Sequence, residues 1–82
     1  MAQSDFLINK ISDTSRELKH LISDFESNRN ILYTAFYISK SLGKIEGLLL
    51  ALNNIDSKKY KTMSHLTEDT IDSAAKTINK LF

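Results

Sequence analysis

Between Ile31 and Leu52, apolar residues recur at alternating steps of four and three, with no polar residue in the series. The members are Ile31, Ala35, Ile38, Leu42, Ile45, Leu49 and Leu52. This spacing places them all on one side of an α-helix, whereas a strand would distribute them over two faces. A helix with such a stripe must be packed against other elements, so the segment predicts the centre of a helical bundle.

Beside this stripe runs a row of small residues at steps of four: Ser39, Gly43, Gly47 and Ala51. A glycine inside a helix costs about 1 kcal/mol relative to alanine, so Gly43 and Gly47 indicate a compensating close contact with another backbone. Leu32, Phe36, Leu48 and Leu50 project at other angles, and one small bundle cannot easily cover every face of a helix. The predicted partner-binding residues are Phe36, Ser39, Gly43, Gly47, Leu48 and Ala51.

The chain predicts an all-α fold with one domain over residues 1–82, a long antiparallel helical hairpin followed by a shorter C-terminal helix. The predicted helices span about 4–26, 31–52 and 67–81. For the segment at about 57–64 two alternatives stay open: a separate short helical turn, or one continuous helix that runs through from Ser57. Turn-forming residues at 27–30 indicate a reversal. Ser4, Asn30 and Thr67 are the predicted N-caps, and Leu66 and Ile71 have the spacing of a hydrophobic staple around the last of these.

The first predicted helix carries its own stripe, interrupted by Thr14, whose hydroxyl we expect to bond to the preceding turn. In the third, the predicted buried residues are Ile71, Ala74, Ala75, Ile78 and Leu81. A chain of 82 residues buries only roughly 60–65% of the surface that its unfolded form exposes. We therefore expect oligomerisation, most simply a homodimer, or a protein partner to complete the core.

The chain has no cysteine, which excludes disulfides and fits a cytoplasmic setting. The N-terminal residues lack the basic start and apolar run of a secretory signal, so no targeting segment is expected. The longest wholly apolar run, 48–52, is far shorter than the roughly 20 residues that span a bilayer, so no membrane span is predicted.

Catalytic signatures are missing from the sequence: there is no glycine-rich phosphate loop and no paired nucleophile and base. The sequence therefore predicts no enzyme, no catalytic residue, no metal and no cofactor. Glu17, His20 and Asp24 share one helix face at a spacing that suits metal ligands, but a solvated outer face is the favoured interpretation. His65 is expected to make a local hydrogen bond.

Two tyrosines and two lysines, Tyr33, Tyr37, Lys40 and Lys44, follow one another at helical spacing. One hypothesis is a site for a planar anionic ligand, with rings stacking and lysines meeting phosphate. The favoured alternative is the rim of a helix–helix interface, where tyrosine is common and lysine stems cover apolar surface.

Lys58, Lys59 and Lys61 surround Tyr60 in the only basic cluster of the sequence. An aromatic residue among lysines suits a phosphate backbone with stacked bases. The favoured alternative is a solvated segment, because the net charge is only +1 and the chain has no recognisable helix for reading nucleic acid. Nucleic acid is therefore not expected as a partner.

Together these features predict a small non-enzymatic protein–protein interaction module, of the adaptor, chaperone, inhibitor or immunity type, which acts through helix–helix packing. The first alternative is a helical oligomer that sequesters a nucleotide or another small anion. The second is a nucleic-acid-binding regulator.

Overall fold

The computed structural model describes residues 2–27 and 30–81. This part of the chain forms three helices and no strand: α1 spans Ala2–Glu26, α2 spans Ile31–Ile55, and α3 spans Ser57–Asn79. All three helices contact one another, and the bundle measures 41 × 18 × 15 Å. The prediction of an all-α helical bundle is confirmed.

Both apolar stripes point into the bundle. The fully buried large side chains include Ile11 and Leu18 from α1 and Ile38, Ile45 and Leu52 from α2. The Thr14 hydroxyl donates to the carbonyl of Lys10 at 2.7 Å, which confirms the bond predicted for it. The 3.6-residue period therefore identified the inward side of α1 and α2 correctly.

The third helix begins at Ser57, ten residues before the predicted start at Thr67, so the alternative of one continuous helix is confirmed. Asp56 is the single non-helical residue between α2 and α3, and its Oδ1 accepts from the backbone N–H of Lys59 at 3.1 Å. The predicted start at Thr67 is wrong: Thr67 is buried within α3, where its hydroxyl donates to the Met63 carbonyl at 2.8 Å. The predicted staple residue Leu66 is 68% exposed.

The reason is the composition of the inward side of α3. Threonines occupy several of its buried positions, so an apolar period is hard to detect. The buried residues are Met63, Thr67, Thr70, Ala74 and Thr77. Ala75 and Leu81, which were predicted to be buried, are exposed.

The predicted helix starts also need correction. Ser4 is not a cap but a buried residue inside α1, 1% exposed. Asn30 does precede α2, with a left-handed φ of 44°, which asparagine tolerates better than most residues. Its side chain makes no capping bond, while its carbonyl accepts from the Thr34 N–H at 2.8 Å. The predicted reversal at 27–30 includes residues 28 and 29, which lie outside the described residues.

Candidate interaction surface

One exposed strip of α2 carries most of the predicted partner-binding features. We call it the outer face of α2 and define it by Leu32, Phe36, Gly43, Gly47 and Leu50, which share the side of the helix opposite the buried stripe. The three large side chains are 82%, 62% and 63% exposed. Large apolar groups therefore stand at both ends of the face, with two glycines between them.

The two glycines are not covered by any described part of this chain. A Cβ atom added at Gly43 or Gly47 would meet nothing within 4 Å. The close contact that the glycines led us to expect is therefore not made within the bundle. The physical reason is that Gly43 and Gly47 lie away from α1 and α3, which pack on the stripe instead.

The remaining predicted partner-binding residues are distributed between the face and the core. Ser39 is exposed beside Gly43, whereas Leu48 is half-buried and packs against the hydrophobic core. Ala51 is half-buried and lines a groove between α1 and α2. The outer face of α2 thus differs from the predicted partner-binding set. It includes Leu32 and Leu50, which were expected only to project away from the stripe, and it leaves out Leu48 and Ala51.

The groove beside Ala51 has a volume of about 550 Å³ and is mainly apolar in its lining. It is lined by Gln3, Phe6, Leu7, Ala51 and Ile55. Phe6 and Ile55 are 59% and 50% exposed. Neither Phe6 nor Ile55 was among the predicted site residues. Both lie just outside the apolar stripes of their helices, and this position indicates that they remain exposed at the bundle surface.

The tyrosine–lysine strip is brought together in part. The rings of Tyr33 and Tyr37 have centroids 4.6 Å apart, Phe36 meets Tyr37 edge-on at 5.3 Å, and Lys40 Nζ lies 5.8 Å from the Tyr37 ring centroid. A hydrogen bond with Tyr37 raises the pKa of Tyr33 above its usual value. Tyr33 is nevertheless 62% exposed, so the strip forms an open surface.

The basic cluster does not present three free ammonium groups. Lys59 Nζ donates to Ser4 Oγ at 3.2 Å and lies 3.5 Å from Asp5 Oδ1, so this lysine joins the start of α3 to the start of α1. Lys58 and Lys61 are exposed. Of the predicted phosphate-binding cluster, Lys59 is therefore engaged in a contact within the bundle, whereas the ammonium groups of Lys58 and Lys61 make no such contact in the described part of the chain.

Glu17 and His65, two residues singled out in the sequence, each make a polar contact. Glu17 Oε1 accepts from Ser41 Oγ at 3.0 Å, which joins α1 to α2. His65 Nδ1 lies 3.9 Å from Glu68 Oε2 on the exposed side of α3. Within residues 2–27 and 30–81, no group of three or more histidine, aspartate or glutamate side chains is arranged to hold a metal ion.

None of the helices described here combines the length and the apolar character needed to cross a membrane. Comparisons with protein-family models, with curated proteins and with solved structures give no match to this chain. The interpretation of the outer face of α2 therefore depends on its own geometry and chemistry.

Proposed function

We propose that this chain is a non-enzymatic interaction module that binds another polypeptide through the outer face of α2. The observation that carries the proposal is the combination of three exposed large apolar side chains with two uncovered glycines on one side of one helix. Burying a leucine or phenylalanine side chain is worth about 1.5–3 kcal/mol. A partner that covers this face would gain that free energy without any change in the core.

In this proposal, the partner presents a helix to the outer face of α2. Gly43 and Gly47 are one turn apart, so together they form a shallow depression in the helix surface where the backbone of a facing helix can approach closely. Phe36 and Leu50 then flank the crossing point, each within two helical turns of Gly43. Such a contact is selective, because only a partner with small residues at the crossing can approach closely.

Two observations weigh against the alternative functions. The tyrosine–lysine strip is open, so a small planar anion resting on it would remain largely in water, whereas ligand sites usually enclose their ligand. For nucleic acid, Lys59 is engaged with Ser4 and Asp5, and the net charge of +1 supplies little attraction to phosphate.

The test compares Phe36→Asp with Leu66→Asp, a matched pair because each change puts a carboxylate in place of an apolar side chain that is more than 60% exposed. Each variant and the wild type are immobilised and exposed to the wild-type chain and to an extract of the source cells. Circular dichroism first establishes that the helices are intact. We expect Phe36→Asp to lose binding at least tenfold, which is about 1.4 kcal/mol, and Leu66→Asp to retain it.

The proposal fails if neither a copy of this chain nor another protein is bound by the wild type in a manner that Phe36→Asp abolishes. It also fails if Leu66→Asp loses as much binding as Phe36→Asp, because the decisive surface would then not be the outer face of α2.

A further inference from the structure

The outer face of α2 has an area that suits one facing helix. An aromatic side chain buries about 150–250 Å² when covered, so Leu32, Tyr33, Phe36 and Leu50 together offer on the order of 500 Å² of surface. This is more than half of the roughly 800 Å² that each partner buries in a standard interface. These four side chains would thus supply the larger part of the area that a stable dimer needs.

The charges on the two flanks of the face differ in sign. Successive residues of a helix are about 100° apart, so Lys44 and Glu46 lie on opposite flanks, and Lys40 lies on the same flank as Lys44. All three are exposed. None of them forms an ion pair with another residue in the described part of the chain.

This distribution selects among the arrangements of two identical helices. In a parallel pair related by a two-fold axis, the basic flank of each copy meets the acidic flank of the other. Lys44 then faces Glu46 of the second copy, with a difference in height of about 3 Å along the axis, and the contact occurs twice. An antiparallel pair would instead place lysine flank against lysine flank, which is repulsive.

We propose that a second copy of this chain covers the outer face of α2, with the two α2 helices parallel and crossing at Gly43 and Gly47. The inference rests on the proposed function and specifies its partner. The glycines allow the backbones to approach at the crossing, where larger side chains would hold them apart. On either side of it, Phe36 meets Phe36 of the second copy and Leu50 meets Leu50.

The absence of cysteine from the chain allows a direct test by single-cysteine cross-linking. Disulfides require Cα atoms about 4.4–6.8 Å apart, which the crossing point provides for Gly43→Cys. Ser73→Cys, exposed on α3, is the control. Under mild oxidation at micromolar chain concentration, we expect Gly43→Cys to form covalent dimer about tenfold faster than Ser73→Cys, because association raises the effective thiol concentration.

A second arm tests the orientation without placing a side chain at the crossing. Phe36→Cys and Leu50→Cys are treated with a short bismaleimide, separately and as a mixture. The parallel arrangement predicts that each variant cross-links to itself, whereas an antiparallel pair would join the two variants to each other. Sedimentation equilibrium of the untreated wild type is expected to give twice the 9.3 kDa mass of one chain.

The proposal is overturned if the wild type sediments as a monomer at 100 micromolar or above, or if only the mixed Phe36→Cys and Leu50→Cys sample cross-links. A monomeric wild type that still captures another protein in a Phe36-dependent manner would refute the second copy as partner while leaving the proposed function in place. A monomer without such capture would refute both.

Discussion

The outward side of α2 differs from the outward sides of α1 and α3. α2 has three charged residues among 25, whereas α1 has eight among 25 and α3 has seven among 23. Outward positions on α1 and α3 are mainly polar, with Phe6 and Leu66 as exceptions, while α2 exposes leucine and phenylalanine around two glycines. Two helices are therefore suited to water and the third to a further contact.

The difference extends to the interior. Eight polar residues are buried among the described residues, and α3 contributes threonines where α2 contributes isoleucine and leucine. Several of these hydroxyls are satisfied by a carbonyl of the preceding turn, as in Thr67 and Thr77. Thus α2 has apolar side chains on both its inward and its outward sides, whereas α3 has comparatively few apolar side chains on either side.

The largest expected effect is a difference in the free energy of unfolding between a variant on the inward side of α2 and a variant on its outer face. Ile38 is fully buried, so Ile38→Ala should lower the free energy of unfolding by about 2–5 kcal/mol. Leu32→Ala, on the outer face, should change it by less than about 0.5 kcal/mol in dilute, monomeric samples. Urea denaturation followed by circular dichroism measures both. Equal losses would mean that the outer face belongs to the core of the single chain.

A smaller effect concerns the glycines. Because a Cβ at Gly43 meets nothing within 4 Å, Gly43→Ala should raise the free energy of unfolding of the single chain by up to about 1 kcal/mol through helix propensity alone. Ala51→Gly, at the end of the same small-residue row, is the reverse control and should lower it. A destabilised Gly43→Ala chain at high dilution would contradict the open surroundings of this residue.

The smallest effect concerns the polar side of α3. Lys59→Ala removes the contacts with Ser4 and Asp5, and we expect a loss below about 1 kcal/mol, because the lysine and the aspartate are both partly exposed to water. The matched control is Lys58→Ala, whose side chain is exposed and which should leave the unfolding free energy unchanged. Indistinguishable thermal melts for the two variants would remove the assigned role of Lys59.

The sequence was informative where side chains differ strongly in polarity. The period of three and four residues identified the buried stripes of α1 and α2, and the bond from Thr14 to the preceding turn followed from the chemistry of threonine in a helix. The same rules failed in α3, because Thr67 is compatible with both a cap and a buried position. Its actual role depends on the bundle that surrounds it.

The candidate surface could be predicted in part for a related reason. Periodicity assigns residues to sides of a helix, so it identified Phe36, Gly43 and Gly47 as lying off the main stripe. It could not tell whether α1 or α3 covers those sides, because that depends on where each helix packs. For the same reason, periodicity did not show that Leu48, one of the predicted partner-binding residues, is half-buried and packs against the core.

The outer face of α2 is uncovered in the described part of the chain, and our proposal is that a second chain binds it. Gly47→Leu tests it most directly when unfolding and association are measured on the same sample. We expect a single chain at least as stable as the wild type, because leucine favours helix more than glycine and a Cβ at this site meets nothing within 4 Å, together with a loss of dimer in sedimentation equilibrium. A variant that is equally stable and associates as the wild type does would contradict the claim.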